Sequence, residues 1–212
     1  MTVAIGNIIQ NGVVFDMKNW ENSPPNADNL PAAIDRLFTT LSTRNITYLL
    51  VGGVALLSYI DGRNTQDIDF ILARNDLDNL PEIIITEENK DFMRGKFDDL
   101  QIDILLTQNP LFNTIINNYV TERKFGDRLV NCVTVEGLVI LKLYALPSLY
   151  RQGLFNRASI YENDLLLLFL NYPVNREEVF TILKPHLIST DLQEISYTIT
   201  DIDQRIQRFR RI

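Results

Sequence analysis

The stretch YLLVGGVALLSYIDGRNTQDIDFIL, residues 48–72, combines two features that buried segments usually avoid. Asp67 and Asp69 stand one residue apart inside an apolar run, and Gly52-Gly53 ends another apolar run upstream. An unpaired charge inside a protein costs free energy, so two carboxylates in such a strand need a reason. Because strand side chains alternate between two faces, Asp67 and Asp69 are predicted to point to the same face.

A divalent cation would let both members of this aspartate pair stay ionised. Mg²⁺ and Mn²⁺ prefer carboxylate oxygens, and Mg²⁺ often bridges carboxylates and substrate phosphates. Asp103 lies in a similar run, QIDILL, and it joins the pair if the two strands lie side by side. Three converging carboxylates predict a site for two metal ions that catalyses phosphoryl transfer. The alternatives are that Asp67 and Asp69 are ordinary edge-strand charges and that Asp103 is a solvated strand residue.

The glycine pair predicts a phosphate-binding turn. A strand that runs through Gly52-Gly53 into a helix leaves backbone N–H groups and a helix N-terminus for an anion. Glycine allows phosphate to approach the backbone because it has no Cβ. In the following loop, DGRNTQ, Arg63 and Thr65 are candidate phosphate contacts. A plain tight turn is the alternative interpretation of the glycines.

Composition narrows the function classes. The 212 residues are 46% hydrophobic and 22% charged, with a net charge of −7, which gives no general attraction to nucleic acid. One cysteine and one histidine, His186, disfavour a zinc site or a catalytic triad. The start of the sequence lacks signal-peptide character, and LLLLFL, 165–170, is too short to span a bilayer. We therefore expect a cytoplasmic protein with no membrane segment.

Two basic clusters interrupt the acidic average. We interpret them either as solvated surface or as faces for RNA or phosphate. Their members are Arg123, Lys124 and Arg128 in the first, and Arg205, Arg208, Arg210 and Arg211 in the second.

Hydrophobic periodicity predicts an α+β lobe followed by a helical lobe. We expect an N-terminal arm at 1–30, an α+β lobe at 31–135 and a helical lobe at 136–212. Predicted strands cover 46–51, 67–73, 82–86, 99–107 and 131–135. Predicted helices cover 32–42, 54–60, 109–119, 136–152, 157–171, 175–184 and about 189–210. NIIQNGVVFD in the arm predicts a short hairpin.

The spacing of VGG, DIDF and a later strand aspartate resembles the nucleotidyltransferase (polymerase-β-like) superfamily. VGGVALLSYIDGRNTQDIDF is most similar to its AbiEii-type branch, found in abortive-infection and toxin–antitoxin systems. The match is strong over 48–73, weaker to Asp103 and loose to about Leu170. This resemblance implies a nucleotidyltransferase fold with a small mixed β-sheet flanked by helices, followed by a helical lobe.

The resemblance also implies nucleotide-binding residues in the helical lobe. Lys142 would bind the triphosphate, with Arg151 or Arg157 nearby and Asp164 as the acidic partner. Relatives often carry a Lys-Asp pair where this chain has Ile160 and Tyr161, so the chain departs from the family pattern at these two positions. The residues themselves leave other interpretations: Lys142 as a surface lysine, Asp164 as a helix-start residue and the arginines as surface charges.

The predicted activity is Mg²⁺-dependent transfer of a nucleoside monophosphate from an NTP to an acceptor hydroxyl. Asp67, Asp69 and Asp103 would be the catalytic and metal-binding residues, with Asp103 helping to deprotonate the acceptor. The toxin-like branch implies a tRNA or protein acceptor and a cognate antitoxin. Two rivals remain: a small-molecule transferase of the aminoglycoside type, which an acidic surface would suit, and a non-catalytic nucleotide-binding regulator or antitoxin.

Overall fold

The computed structural model describes residues 30–60, 65, 67–125 and 128–210. Arg63, the hairpin predicted in the N-terminal arm and the final residues, Arg211 and Ile212, lie outside this part of the chain. The chain forms two compact units, divided between Val133 and Thr134. Whether they correspond to the predicted domains, 31–135 and 136–212, stays a prediction.

The first unit is built on a mixed β-sheet that seven strands form within the described residues. The strands are β1 Tyr48–Val51, β2 Asp67–Leu72, β3 Ile83–Glu88, β4 Phe92–Phe97, β5 Leu100–Leu106, β6 Val120–Phe125 and β7 Arg128–Val133. Their order is β3-β4-β5-β2-β1-β7-β6. The α-helices of this unit are α1 Leu30–Thr43, α2 Gly52–Leu56 and α3 Pro110–Asn118, and a 3₁₀ turn spans Arg74–Asn79.

Strand β2 lies at the centre of the sheet, so neighbouring strands on both sides satisfy its backbone hydrogen bonds. It pairs antiparallel with β1 and parallel with β5. On one face Phe70 packs edge-on against Phe38 of α1 and Tyr48 of β1. Such aromatic contacts stabilise beyond the area they bury. Helix α1 therefore covers the face opposite the aspartates, because Phe70 and Asp69 alternate along the strand.

The second unit is helical. Its α-helices are α4 Val135–Arg151, α5 Phe155–Asn171, α6 Arg176–Leu183 and α7 Ser189–Phe209. Thr134 caps α4 by accepting a hydrogen bond from the backbone N–H of Gly137, and Asn175 caps α6 similarly. Among the described residues, no helix is long and apolar enough to cross a membrane.

The predicted fold class, an α+β fold with a mixed sheet and C-terminal helices, is confirmed. Several boundaries differ from the sequence prediction. The helix expected over 54–60 is a five-residue helix that already begins at Gly52, and turns follow it. Strands β4, FMRGKF, and β6, VTERKF, were not predicted. Their charged residues, together with the glycine of β4, leave too weak an apolar signal for a strand. Strand β7 ends at Val133, where the cap of α4 begins.

Candidate active site

The sheet places the three predicted carboxylates on one face. Asp67 and Asp69 are half-buried, while Ile68 and Phe70 between and after them are buried. Asp69 pairs in register with Asp103 of the parallel strand β5. Residues paired in this way point to the same side of a sheet, so Asp103 lies beside Asp69. Asp69 and Asp103 are therefore adjacent, as the two apolar runs predicted, because β2 pairs with β5, which lies about thirty residues later in the chain.

The Gly52-Gly53 turn closes directly over Asp69. Gly52 has a φ of +65°, and an added Cβ would lie 1.9 Å from Oδ2 of Asp69. The backbone N–H of Gly53 donates a hydrogen bond to the same oxygen, at 3.2 Å. A Cβ on Gly53 would meet Oγ1 of Thr65 at 2.4 Å. The side chains of Asp69 and Thr65 thus leave no room for a Cβ at either glycine. A phosphate-binding role for the glycines stays a prediction.

Thr65 lies where the sequence predicted, next to the glycine turn and the aspartate strand. Its hydroxyl is 3.4 Å from the backbone oxygen of Asp67, to which it donates. It therefore helps to hold the entry to β2 against Gly53. Its contact with a phosphate stays a prediction.

Asp103 carries an ion pair that the sequence did not reveal. Nε and Nη2 of Arg94 each donate to one carboxylate oxygen of Asp103, both at 2.7 Å. The Asp103 residue is only 5% exposed, so this two-point contact is largely shielded from water. Hydrogen bonding to Asp103 raises the pKa of Arg94 above its already high ordinary value, against the opposing effect of desolvation. Arg94 therefore stays charged at every physiological pH.

Arg94 was missed because its strand was missed. Once FMRGKF is known to be a strand beside β5, the alternation of Phe92, Arg94 and Lys96 places the arginine on the aspartate face. Its guanidinium also lies 3.7 Å from Oε2 of Glu87 on β3 and 5.5 Å from the centre of the Phe92 ring. The two strand pairings, β3-β4 and β4-β5, therefore position this side chain.

The carboxylates fit a divalent cation in part. Asp67 and Asp69 offer oxygen ligands on one half-exposed face, which suits a hard cation. Both oxygens of Asp103 already accept hydrogen bonds from Arg94. Consistent with this, the described ranges contain no group of three or more acidic, histidine or cysteine side chains arranged to hold a metal.

In the helical unit, Lys142 and Asp164 form a buried pair between α4 and α5. The ammonium nitrogen of Lys142 is 2.8 Å from Oδ2 of Asp164, and the two residues are 4% and 1% exposed. The same nitrogen lies 4.2 Å from the centre of the Tyr161 ring. The surface interpretation of Lys142 is therefore wrong, and so is the helix-start interpretation of Asp164, which lies within α5.

The other predicted residues of the helical unit are near its surface. Arg151 is exposed, and its Nη1 is 2.5 Å from Oδ1 of the buried Asp191. Arg157 is also exposed. Tyr150 donates a hydrogen bond to Glu162, and desolvation together with this carboxylate raises the pKa of Tyr150. Whether Lys142, Arg151 or Asp164 binds nucleotide stays a prediction.

Three arginines of the basic clusters contact other side chains of the protein. Arg123 stacks on the ring of Tyr59 at 4.7 Å, and Arg128 pairs with Asp35 at 3.0 Å. Arg205 lies 3.8 Å from Asp201 one helical turn earlier. These contacts agree better with ordinary surface charges than with a continuous nucleic-acid face, because Arg128 and Arg205 already have carboxylate partners.

No protein-family profile matches the chain, and no curated protein sequence does either. Among solved structures, it is similar to an antigenic nucleotidyltransferase-like protein from Paracoccidioides brasiliensis, with a TM-score of 0.57 and 16% identity over 85% of this chain and 93% of that one. It is also similar to a solution structure of the antibiotic-resistance factor ANT(2″)-Ia, with a TM-score of 0.46 and 12% identity over 85% and 96% of the two chains. A crystal structure of ANT(2″)-Ia in complex with adenylyl-2″-tobramycin is similar with a TM-score of 0.46 and 13% identity, over 82% of this chain and 97% of that one. The first similarity establishes that this chain has a nucleotidyltransferase-like fold.

Proposed function

We propose that this protein is a Mg²⁺-dependent nucleotidyltransferase that moves a nucleoside monophosphate from an NTP to an acceptor hydroxyl. The observation that carries the proposal is the position of Asp69. Its carboxylate lies beside Asp103 in the sheet and under the Gly52-Gly53 turn, with Asp67 on the same face. Acidic ligands next to a glycine turn are the parts that metal-assisted phosphoryl transfer needs.

Asp67 and Asp69 would hold the cation. When bound, Mg²⁺ neutralises phosphate charge and lowers the pKa of a coordinated hydroxyl. The Gly53 N–H donates to Oδ2 of Asp69 and so fixes the orientation of that ligand. Thr65 supports the same turn from the other side. These contacts hold the Asp69 carboxylate in place before any substrate binds, which reduces the reorganisation needed for catalysis.

The reaction balances without a further reactant. The acceptor oxygen forms a bond to the α-phosphorus of the NTP while the bond from that phosphorus to the bridging oxygen breaks. Pyrophosphate carries away the electron pair of the broken bond. The hydroxyl proton passes to a base, either water or Asp103, whose two oxygens each accept one hydrogen bond from Arg94.

The acceptor follows from the sequence resemblance rather than from geometry. We propose a hydroxyl of tRNA or of a protein, with a toxin role in an AbiEii-type system and a cognate antitoxin. The fold neighbours leave a small-molecule acceptor as the rival for the assay to decide.

One observation favours a second candidate, nucleotide binding without transfer. The Arg94–Asp103 pair occupies the carboxylate that the sequence assigned to acceptor deprotonation. A regulator or antitoxin would need the nucleotide site but not that base. Turnover measurements separate the two candidates.

The test supplies each α-labelled NTP with Mg²⁺ and, in separate reactions, total tRNA, a protein extract or a set of aminoglycosides. We expect label transfer with pyrophosphate release to one acceptor class. Replacing both aspartates, Asp67→Ala with Asp69→Ala, should reduce transfer at least about 100-fold. The matched control is Asp78→Ala, an exposed carboxylate in the 3₁₀ turn, which should stay within about twofold of wild type. Undiminished transfer by the double variant would refute the assigned site, and Mg²⁺-dependent NTP binding without any transfer would support the second candidate.

A further inference from the structure

The aspartate face of the sheet carries a ladder of charges across four adjacent strands. Glu87 of β3 pairs in register with Arg94 of β4, Arg94 with Asp103 of β5, and Asp103 with Asp69 of β2. The order of signs is therefore negative, positive, negative, negative. Like charges directly opposite each other in a sheet are destabilising, so the Asp103–Asp69 step requires a compensating cation.

Arg94 supplies that cation to Asp103. Its two hydrogen bonds use both carboxylate oxygens, and the Asp103 side chain is 6% exposed while that of Arg94 is 24% exposed. A planar guanidinium matches a carboxylate at two points, and this geometry is lost if either oxygen turns away. The carboxylate is thus satisfied electrostatically and geometrically without any metal.

A second metal ion at Asp103 would have to displace this guanidinium. If Arg94 left, its part-buried charge would lose both hydrogen bonds to Asp103 and keep only its weaker attractions to Glu87, at 3.7 Å on an exposed side chain, and to Asp67. If Arg94 stayed, a guanidinium and a divalent cation would repel each other across a single carboxylate. Either arrangement makes metal binding by Asp103 weaker than metal binding by the half-exposed Asp67 and Asp69.

We infer that Arg94 takes the place of one of the two expected metal ions, so that the site holds a single divalent cation on Asp67 and Asp69. Arg94 is then a positioning residue that fixes Asp103 beside the metal ligand Asp69. The inference rests on the proposed function for the location of the metal on the aspartate pair. It differs from the two-ion prediction made from the three carboxylates alone.

The test measures binding of Mn²⁺ alone, without nucleotide, by the loss of the free Mn²⁺ electron paramagnetic resonance signal and by isothermal titration calorimetry. Wild type should bind one Mn²⁺ per chain. Asp69→Asn should weaken binding at least about tenfold, because a carboxylate ligand is lost. Asp103→Asn should leave the affinity within about twofold of wild type, because Asp103 is not a ligand.

Two substitutions of Arg94 test the charge directly. Arg94→Met removes the cation and should add a second Mn²⁺ or tighten binding at least about tenfold, because Asp103 then needs a new counter-ion. Arg94→Lys keeps a positive charge and should retain one Mn²⁺. The Asp103→Asn measurement decides the inference even if Arg94→Met does not fold.

The inference is overturned if wild type binds no Mn²⁺ or two Mn²⁺, or if Asp103→Asn loses affinity tenfold. Unchanged binding by folded Arg94→Met overturns it as well. Its failure can be separated from failure of the proposed function. A wild type that transfers label but binds two Mn²⁺ overturns only the inference. A wild type that binds one Mn²⁺ but transfers no label with any acceptor overturns only the proposed transfer.

Discussion

Replacing Gly52 by alanine should destabilise the first unit more than any ordinary turn substitution. Gly52 has a φ of +65°, and a left-handed conformation costs a residue with a Cβ roughly 1–2 kcal/mol. The new Cβ would also lie 1.9 Å from Oδ2, 2.2 Å from Cγ and 2.6 Å from Cβ of Asp69. Overpacking of this kind typically costs about 1–3 kcal/mol. We therefore expect Gly52→Ala to lower the free energy of unfolding by about 2–5 kcal/mol in total.

The measurement is urea unfolding followed by circular dichroism, with a double-mutant cycle to isolate the clash. Asp69→Gly removes all three clashing atoms, so in that background Gly52→Ala should cost only the conformational part, about 1–2 kcal/mol. Gly153→Ala is a second control. It has a φ of +69°, but its added Cβ meets its nearest neighbour, the Phe155 ring, at an ordinary 4.0 Å. Equal costs for Gly52→Ala in the wild-type and Asp69→Gly backgrounds would refute the claim that Asp69 requires a glycine at position 52.

Three further predictions concern buried groups and helix ends. Lys142→Met leaves Asp164 without its ammonium partner and should lower the free energy of unfolding in urea by about 3–5 kcal/mol. The double variant, Lys142→Met with Asp164→Leu, should recover most of that free energy. No recovery in the double variant would contradict the pairing. Burial raises the pKa of Cys132 from 9.0 to about 11, so its contribution to stability is complete below pH 9 and is lost as the pH rises to 11. Unfolding measured across that range should show this loss in wild type, and an identical pH profile in Cys132→Ala would exclude the thiol as its source. Thr134→Ala removes the cap of α4 and should cost about 1 kcal/mol, and a cost near zero would mean that the cap hydrogen bond is not formed in solution.

The helices and the central strands were predictable because their signals are local. The period of two in DIDFIL already placed both aspartates on one face, and β2 spans Asp67–Leu72 as that pattern indicated. The helical periods after position 135 likewise predicted α4 and α5 to within a few residues. Strands β4 and β6 were missed because the charged residues of FMRGKF and VTERKF, and the glycine of the first, leave a weak hydrophobic signal.

The contacts that the predicted residues make were harder to predict from the sequence. Lys142 is a lone charge on an apolar helix in the sequence, and such a residue fits either a surface or a buried position. Its contact with Asp164 depends on the packing of α4 against α5, which no periodicity specifies. Tyr161, which with Ile160 stands where relatives often carry a Lys-Asp pair, contacts the same ammonium for the same reason.

The sequence by itself therefore determined that Asp67 and Asp69 lie on the same side of their strand. This follows from the alternation of side chains along a strand, which is set within a few residues. Only the tertiary structure decided which groups meet those residues. The parallel pairing of β2 with β5 brings Asp103 to Asp69, and the pairing of β5 with β4 brings Arg94 to Asp103. Strand order and register depend on burial and hydrogen bonding across the whole sheet, so the cation that neutralises Asp103 is set by the fold and not by any local motif.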